Sequence, residues 1–268
     1  MIITHGNGPQ VGATLIRHEM ARSKVPALPL NACGAETQGF LGYLIQQCLQ
    51  NEFKRRQLQR NVVSVITQVI VDKEDPAFIN PTKPIGPFYT RDEAQALMKA
   101  RPELIVREEL GKGFRRLVPS PDPVEIVETP AINNLSEQGT IVIASGGGGI
   151  PVIKLKNGDL EGVDAVIDKD LSAERLATAA HAEELAIMTD VKGVYVNYGS
   201  KNQQILEHTN PKELREYLLK GHFATGSMRP KVEAAIRFVE HGGRRAVIGE
   251  LDSMEKAISG TSGTQVTA

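Results

Sequence analysis

Cysteine is scarce in this chain. Cys33 and Cys48 are too few for a disulfide framework, and no Cys/His cluster has the spacing of a zinc site, so no metal ligand is expected and a reducing cytoplasm is the expected compartment. Charge of one sign is lacking too: 31 Lys and Arg against 32 Asp and Glu leave a formal charge of −1. With no global field to gather nucleic acid or anionic lipid, any anion binding must be local. No stretch approaches the ~18 consecutive apolar residues of a membrane span, and the first residues lack the basic and apolar regions of a signal peptide. Neither nucleic acid nor membrane is therefore an expected partner. Internal repeats and low-complexity segments are absent as well. What is present is the balance of an ordinary globular protein, 41% hydrophobic and 24% charged, and 268 residues give room for one large α/β domain or two small ones.

The chain opens on a short apolar run, Met1 to Thr4, followed by the glycine turn His5-Gly6-Asn7-Gly8-Pro9 and a helical pattern from Pro9 through Ala21. Strand, glycine turn and helix form the opening unit of a nucleotide-handling α/β fold. A second helix is expected over Thr37 to Arg56, then one buried strand over Val62 to Val71. From Asp72 to Tyr89 the texture is proline-rich loop, after which Thr90-Arg91-Asp92-Glu93 spells a capping box. Short strand-like pieces follow near Leu104 to Glu108 and Arg115 to Val118. The interval 73–123 reads as a small protruding subdomain inserted in the sheet. Beyond it, α/β rhythm resumes. A helix follows Thr129, the strand Thr140 to Ser145 ends in Gly146-Gly147-Gly148-Gly149, and a hairpin turns at Asn157-Gly158. Helices near Ala173 to Ala182, Pro211 to Leu219 and Ser227 to Val239 alternate with strands at Leu185 to Thr189, Val194 to Asn197, Arg245 to Gly249 and Thr264 to Thr267.

Two glycine-rich turns at strand ends let backbone amides approach a ligand, and parallel sheets bind ligands at such ends. Neither turn completes the P-loop or the dinucleotide fingerprint. Asp168-Lys169-Asp170 reads either as a solvated turn or as a lysine aimed at a phosphoryl group, with an aspartate to fix it or to hold Mg²⁺. Lys231 is either a surface lysine or a cation joined to a helix N-terminus. Lys83, before Pro84, has its backbone fixed by its neighbours. His5 reads either as a hydrogen-bonded structural residue or as a general base, Cys33 either as core or as a nucleophile, and no Ser-His-Asp arrangement is defensible.

Present in order, HGNGPQVG, NPTKPIGPF, SGGGGIPV, GVDAVIDKD and GHFATGSMRPKVEAAIRFVE give the chain, end to end, a close resemblance to carbamate kinase, of the amino-acid kinase superfamily. The resemblance implies an open, mainly parallel sheet between helices with a protruding subdomain, a homodimer, and reversible phosphoryl transfer between carbamoyl phosphate and MgADP, giving ATP and carbamate in arginine metabolism. Carried over by motif, Lys169 and Lys231 would contact the phosphoryl group with Asp170 orienting them, and Lys83 would close over carbamoyl phosphate. Amides of Gly6, Asn7 and Gly8, with Gly146, Gly147 and Gly148, would hold substrate oxygens. Asp190, Val194, Tyr195, Tyr198, Met228 and Pro230 would line the nucleotide pocket, with ATP or ADP and Mg²⁺ as cofactors. The chemistry is coherent with this, since phosphoryl transfer needs positioning and positive charge rather than a covalent nucleophile.

The chain departs from the resemblance at its start, where carbamate kinases carry a strand, a G-G-N-A turn and a helix before the strand leading into H-G-N-G-P. The expectation is a single domain over 1–268 shortened at its N-terminus by that unit. Losing one preorganised backbone donor lowers turnover by ~10²–10³. An alternative expectation is therefore a short form that binds nucleotide and turns over poorly or regulates.

Overall fold

The computed structural model describes residues 1–224 and 226–268, which divide into two compact units, Met1–Ser172 and Ala173–Ala268. In the first unit β1 (Ile2–Ile3) leads through the glycine turn into α1 (Gly8–Ala21), and α2 (Leu30–Arg55) follows. The chain continues through β2 (Val62–Ser64), β3 (Gln68–Val71), β4 (Lys83–Tyr89), α3 (Arg91–Ala100), β5 (Ile105–Glu109), β6 (Gly113–Val118) and β7 (Pro123–Ile126). Then come α4 (Thr129–Glu137), β8 (Ile141–Ile143), β9 (Ile150–Lys154), β10 (Leu160–Gly162) and the start of α5 (Lys169–Ala179). The ladder β1–β8–β2 is parallel throughout, with Ile3 opposite Ile143 and Val63 opposite Val142. In the order β10–β9–β3–β7 the central β3–β9 pair is parallel and the outer two are antiparallel.

The expected single strand over Val62 to Val71 is two strands in two sheets. Thr67 breaks it: its Oγ1 donates to Val65 O at 2.8 Å, and the buried Gln38 amide grips the Thr67 backbone from both sides. A side chain that bonds locally offers the backbone an alternative to the ladder. The expected proline-rich loop over Asp72 to Tyr89 likewise ends in a strand, because β4 pairs only with β6 in the order β4–β6–β5. Prolines 84 and 87 are tolerated there since an edge strand has amides without a ladder partner. Gly12 of α1 meets Gly86 of β4, so α1 packs directly on that sheet. The capping box is present, with Thr90 N–H donating to Glu93 Oε2 at 2.7 Å and Glu93 N–H to Thr90 Oγ1 at 3.3 Å. The unit's apolar clusters include Val11, Leu15, Leu30, Cys33, Ile85 and Val118 in one, and Val62, Ile141 and Ile143 under Ile45, Leu49 and Phe53 in another.

The second unit continues through β11 (Glu184–Thr189), β12 (Val194–Val196), β13 (Gln204–Leu206), β14 (His208–Thr209), α6 (Pro211–Leu219), α7 (Met228–Glu240), β15 (Arg245–Glu250), α8 (Met254–Ile258) and β16 (Thr264–Val266). Strands β11 and β15 run parallel over six residues each, and β16 joins antiparallel to β15. Helix α7 buries Val232, Ala235, Ile236 and Val239, the i, i+3, i+4, i+7 stripe of a core-facing helix, and Gly242 with φ 97° follows its end. Among the described residues no helix is long and apolar enough to cross a membrane.

Candidate active site

The first unit gathers two glycine turns and two lysines. Strands β1 and β8 are neighbours, so the turns that follow them meet: Gly147 N–H donates to His5 O at 2.7 Å. A Cβ on Gly146 would collide with the His5 ring, one on Gly147 with the Asn7 side chain, and one on Gly148 with the Ile167 carbonyl. Only glycine fits this close approach, and Gly147 and Gly148 also hold φ values of 66° and 95°. Ser145, before the turn, is itself left-handed at φ 53°, held by its amide on Thr67 Oγ1 and its hydroxyl 2.6 Å from that of Ser172.

The sequence-derived donors divide in two. The amides of Gly147 and Gly148 are already spent, on His5 O of the opposing turn and on Ser145 O. Among the described residues those of Gly6, Asn7, Gly8 and Gly146 have no protein acceptor. Gly8 also begins α1, whose N-terminal amides and dipole favour an anion. Asn7 is anchored by its side-chain amide on Thr37 Oγ1 at 2.8 Å.

The Asp168-Lys169-Asp170 triplet stands at the entry to α5. Lys169 Nζ reaches Asp170 Oδ1 at 2.7 Å, and its stem passes within 3.2 Å of where a Cβ on Gly6 would lie. Lys83, the first residue of β4, reaches across to Asp168 Oδ2 at 3.0 Å. Asp168 also caps α5, accepting the Asp170 amide on Oδ1 at 2.9 Å. Burial pushes the Asp168 carboxyl up, but the Lys83 ammonium, the capped amide and Lys169 outweigh it and hold the group below the usual carboxylate range. Lys83, Lys169, Asp170 and both glycine turns are thus brought together. Asp168, the partner of Lys83, was visible in the sequence only as one carboxylate of the triplet. Thr37, Gln38, Thr67 and Ser145 left no signal, because the contacts that tie them to the site are long-range.

The second unit carries the remaining expected residues. Asp190 is exposed after β11, and the rings of Tyr195 and Tyr198 meet at 5.8 Å between centres, tilted by 59°. Val194, by contrast, is fully buried with its amide on Thr264 Oγ1 at 2.7 Å, so its side chain offers no surface to a nucleotide. Met228 begins α7, while Pro230 and Lys231 are buried in its first turn. Thr225, inside the GHFATGSMRP motif, lies outside the described residues.

Spacing also concealed a cluster of possible metal ligands. His18, Cys33 and Glu36 converge, their ligand atoms all within 4.8 Å of one another. Burial, then the nearby Glu36 and Asp164 carboxylates, push the Cys33 thiol up to about 11, which agrees with its reading as core rather than as a nucleophile.

A fold of this class, with glycine turns at strand ends and lysines held by aspartates beside them, is that of a small-molecule kinase, and the chain belongs to the amino acid kinase family, whose model matches residues 1–250. Carbamate kinases are among its relatives. It is 51% identical over 269 residues to the carbamate kinase of Pyrococcus horikoshii, covering 100% of this chain and 85% of that protein. To that of Thermococcus kodakarensis it is 52% identical, covering 99% and 84%. The solved carbamate kinase from Giardia lamblia bound to AMP-PNP matches with a TM-score of 0.93 at 44% identity, covering 99% of this chain and 84% of that one.

Proposed function

We propose that the protein is a carbamate kinase, transferring a phosphoryl group reversibly between carbamoyl phosphate and ADP to give carbamate and ATP. The observation that carries this reading is the pairing of Lys83 with Asp168 and of Lys169 with Asp170, beside amides that have no protein acceptor among the described residues. Charge spread over a transferring phosphoryl group is stabilised by fixed cations and amides rather than by a nucleophile. Each aspartate holds its ammonium in place before substrate arrives, so little reorganisation is left for the transfer itself.

In this reading Lys169 contacts the phosphoryl group, Asp170 orients it, and Lys83 engages carbamoyl phosphate. The amides of Gly6, Asn7, Gly8 and Gly146 take substrate oxygens, while Gly147 and Gly148 shape the turn that presents them. Lys231 is assigned to the phosphoryl group, and Asp190, Tyr195, Tyr198 and Met228 to the nucleotide. Mg²⁺ would neutralise phosphate charge. Asp168 and Asp170 are the carboxylates at the site and both are engaged by lysines, which fits a metal held mainly by nucleotide phosphates and water with at most one carboxylate.

The reaction fits the final, ATP-forming step of arginine-derived carbamoyl phosphate breakdown in the cytoplasm. Self-association to a dimer is favoured by Phe40, Tyr43 and Leu44, which share one exposed face of α2. A coupled assay of ATP formation from ADP and carbamoyl phosphate, with ADP binding measured by titration calorimetry, tests the function. ADP binding without carbamoyl-phosphate-dependent ATP would overturn it.

A further inference from the structure

The His18, Cys33 and Glu36 cluster belongs to none of the chemistry above. Cys33 and Glu36 stand one turn apart on α2 and so share a face, and His18 comes from the last turn of α1. His18 Nε2 and Glu36 Oε2 are 3.4 Å apart. Two ligands ~2.0–2.1 Å from one tetrahedral metal sit about 3.4 Å from each other. The Cys33 sulfur lies within 4.8 Å of both, so it needs to close by at most about 1.3 Å to reach the matching separation. Among the described residues its only hydrogen bond is a long one, to Leu28 O at 3.9 Å, which leaves the thiol little hydrogen bonding to give up.

The donor set is imidazole, thiolate and carboxylate, which suits Zn²⁺ or Co²⁺ and not Mg²⁺ or Ca²⁺. Negative surroundings favour a cation here. Glu36 and Asp164 raise the cost of an isolated thiolate, and the same two carboxylates lower the cost of a dication, with Arg116 opposing them more weakly. Without metal the same residues make an ordinary His–Glu contact over a buried thiol.

We propose that His18 Nε2, Cys33 Sγ and the Glu36 carboxylate form a Zn²⁺-class site that clamps α1 to α2, with water completing a tetrahedron. On binding, a metal–sulfur bond replaces the S–H bond and the proton passes to solvent. The clamp closes one residue from Thr37, which anchors Asn7, so metal stiffens the seat of the first glycine turn. This site stands whether or not the chain transfers phosphoryl groups.

Titration of the metal-free protein with Co²⁺ is the test. The expected result is one equivalent bound per chain, with a thiolate-to-cobalt charge-transfer band and tetrahedral visible bands, and with Zn²⁺ at about a hundredfold over its Kd raising Tm by roughly 5 °C or more. Cys33→Ser and His18→Ala should abolish both signals, Glu36→Gln should weaken binding at least about tenfold, and Cys48→Ser should retain everything. His18 lies outside the buried core, so His18→Ala, checked by far-UV circular dichroism, serves if Cys33→Ser fails to fold. Absence of the charge-transfer band in the parent, or its persistence in His18→Ala, overturns the proposal.

Discussion

Asp168→Asn separates the two bonds that Asp168 makes. Asn and Asp cap helices equally well, so the α5 cap survives while the charge that holds Lys83 is lost. The pair is neither on the surface nor deep inside: the Lys83 side chain is 33% exposed and that of Asp168 13%. Exposed pairs contribute ~0–1 kcal/mol and breaking a fully buried one costs ~3–5, so a loss of about 1–2 kcal/mol is expected here. If Lys83 must be recaptured in each turnover, that loss is about a 5–30-fold fall in kcat/KM for carbamoyl phosphate. The coupled ATP assay reads it, and calorimetry should find ADP affinity unchanged. Asp168→Ala should lose a further ~1 kcal/mol of stability, from the cap. The pH dependence has a definite sign. Because the folded carboxyl titrates below its ordinary value of ~3.9, the pair stabilises fully above that value and is lost as pH falls through the lower, folded one. The stability gap between parent and Asp168→Asn should thus be flat above ~pH 5 and close below ~pH 4. Unchanged carboxylate-side kinetics in Asp168→Asn, or an equal loss of ADP affinity, would refute the reasoning.

Other outcomes follow from the same geometry. Lys169→Ala should abolish transfer while leaving thermal unfolding close to that of the parent, and activity within tenfold of it would remove Lys169 from its assigned role. Lys83→Ala should raise KM for carbamoyl phosphate and leave ADP binding intact, as read by the same two assays. Gly147→Ala forces a side chain into a left-handed position against Asn7, so a loss of ~1–3 kcal/mol in denaturant unfolding is expected, with loss of activity. Phe40→Glu with Tyr43→Glu should turn a dimer into a monomer in sedimentation analysis; no change would place any interface elsewhere.

The α/β class, the capping box at Thr90, the Asn157-Gly158 hairpin and most elements beyond Thr129 were legible, because each is written in local periodicity and turn chemistry. The errors lie where a distant residue decides. Gln38 grips Thr67 and splits one apparent strand into two, and β4 becomes a strand despite its prolines because only one of its edges is paired. The start of α2 at Leu30 rather than Thr37 has the same origin: the Leu30 amide, which no helix residue can satisfy, donates to Asp164 Oδ1 at 3.0 Å. The motifs marked segments that come together, but not the partnerships within them. Whether a glycine amide is open or spent depends on the opposing turn, as Gly147 and its bond to His5 show.

The Asp168-Lys169-Asp170 triplet is not a solvated turn, because its three residues make contacts in different directions. Asp168 takes the lysine of β4, Lys169 lies against Gly6, and Asp170 closes on Lys169 from inside the helix. Three consecutive residues therefore join the first glycine turn, the edge strand of a separate sheet and the first turn of α5. A surface turn would leave such charges to water, whereas here Asp170 is 6% exposed. Burying carboxylates is costly unless cations meet them, and each aspartate here holds a partly exposed lysine in one direction. That rigidity is what a phosphoryl group in flight requires, which is why the pairing of these charges, more than the number of lysines, carries the functional reading.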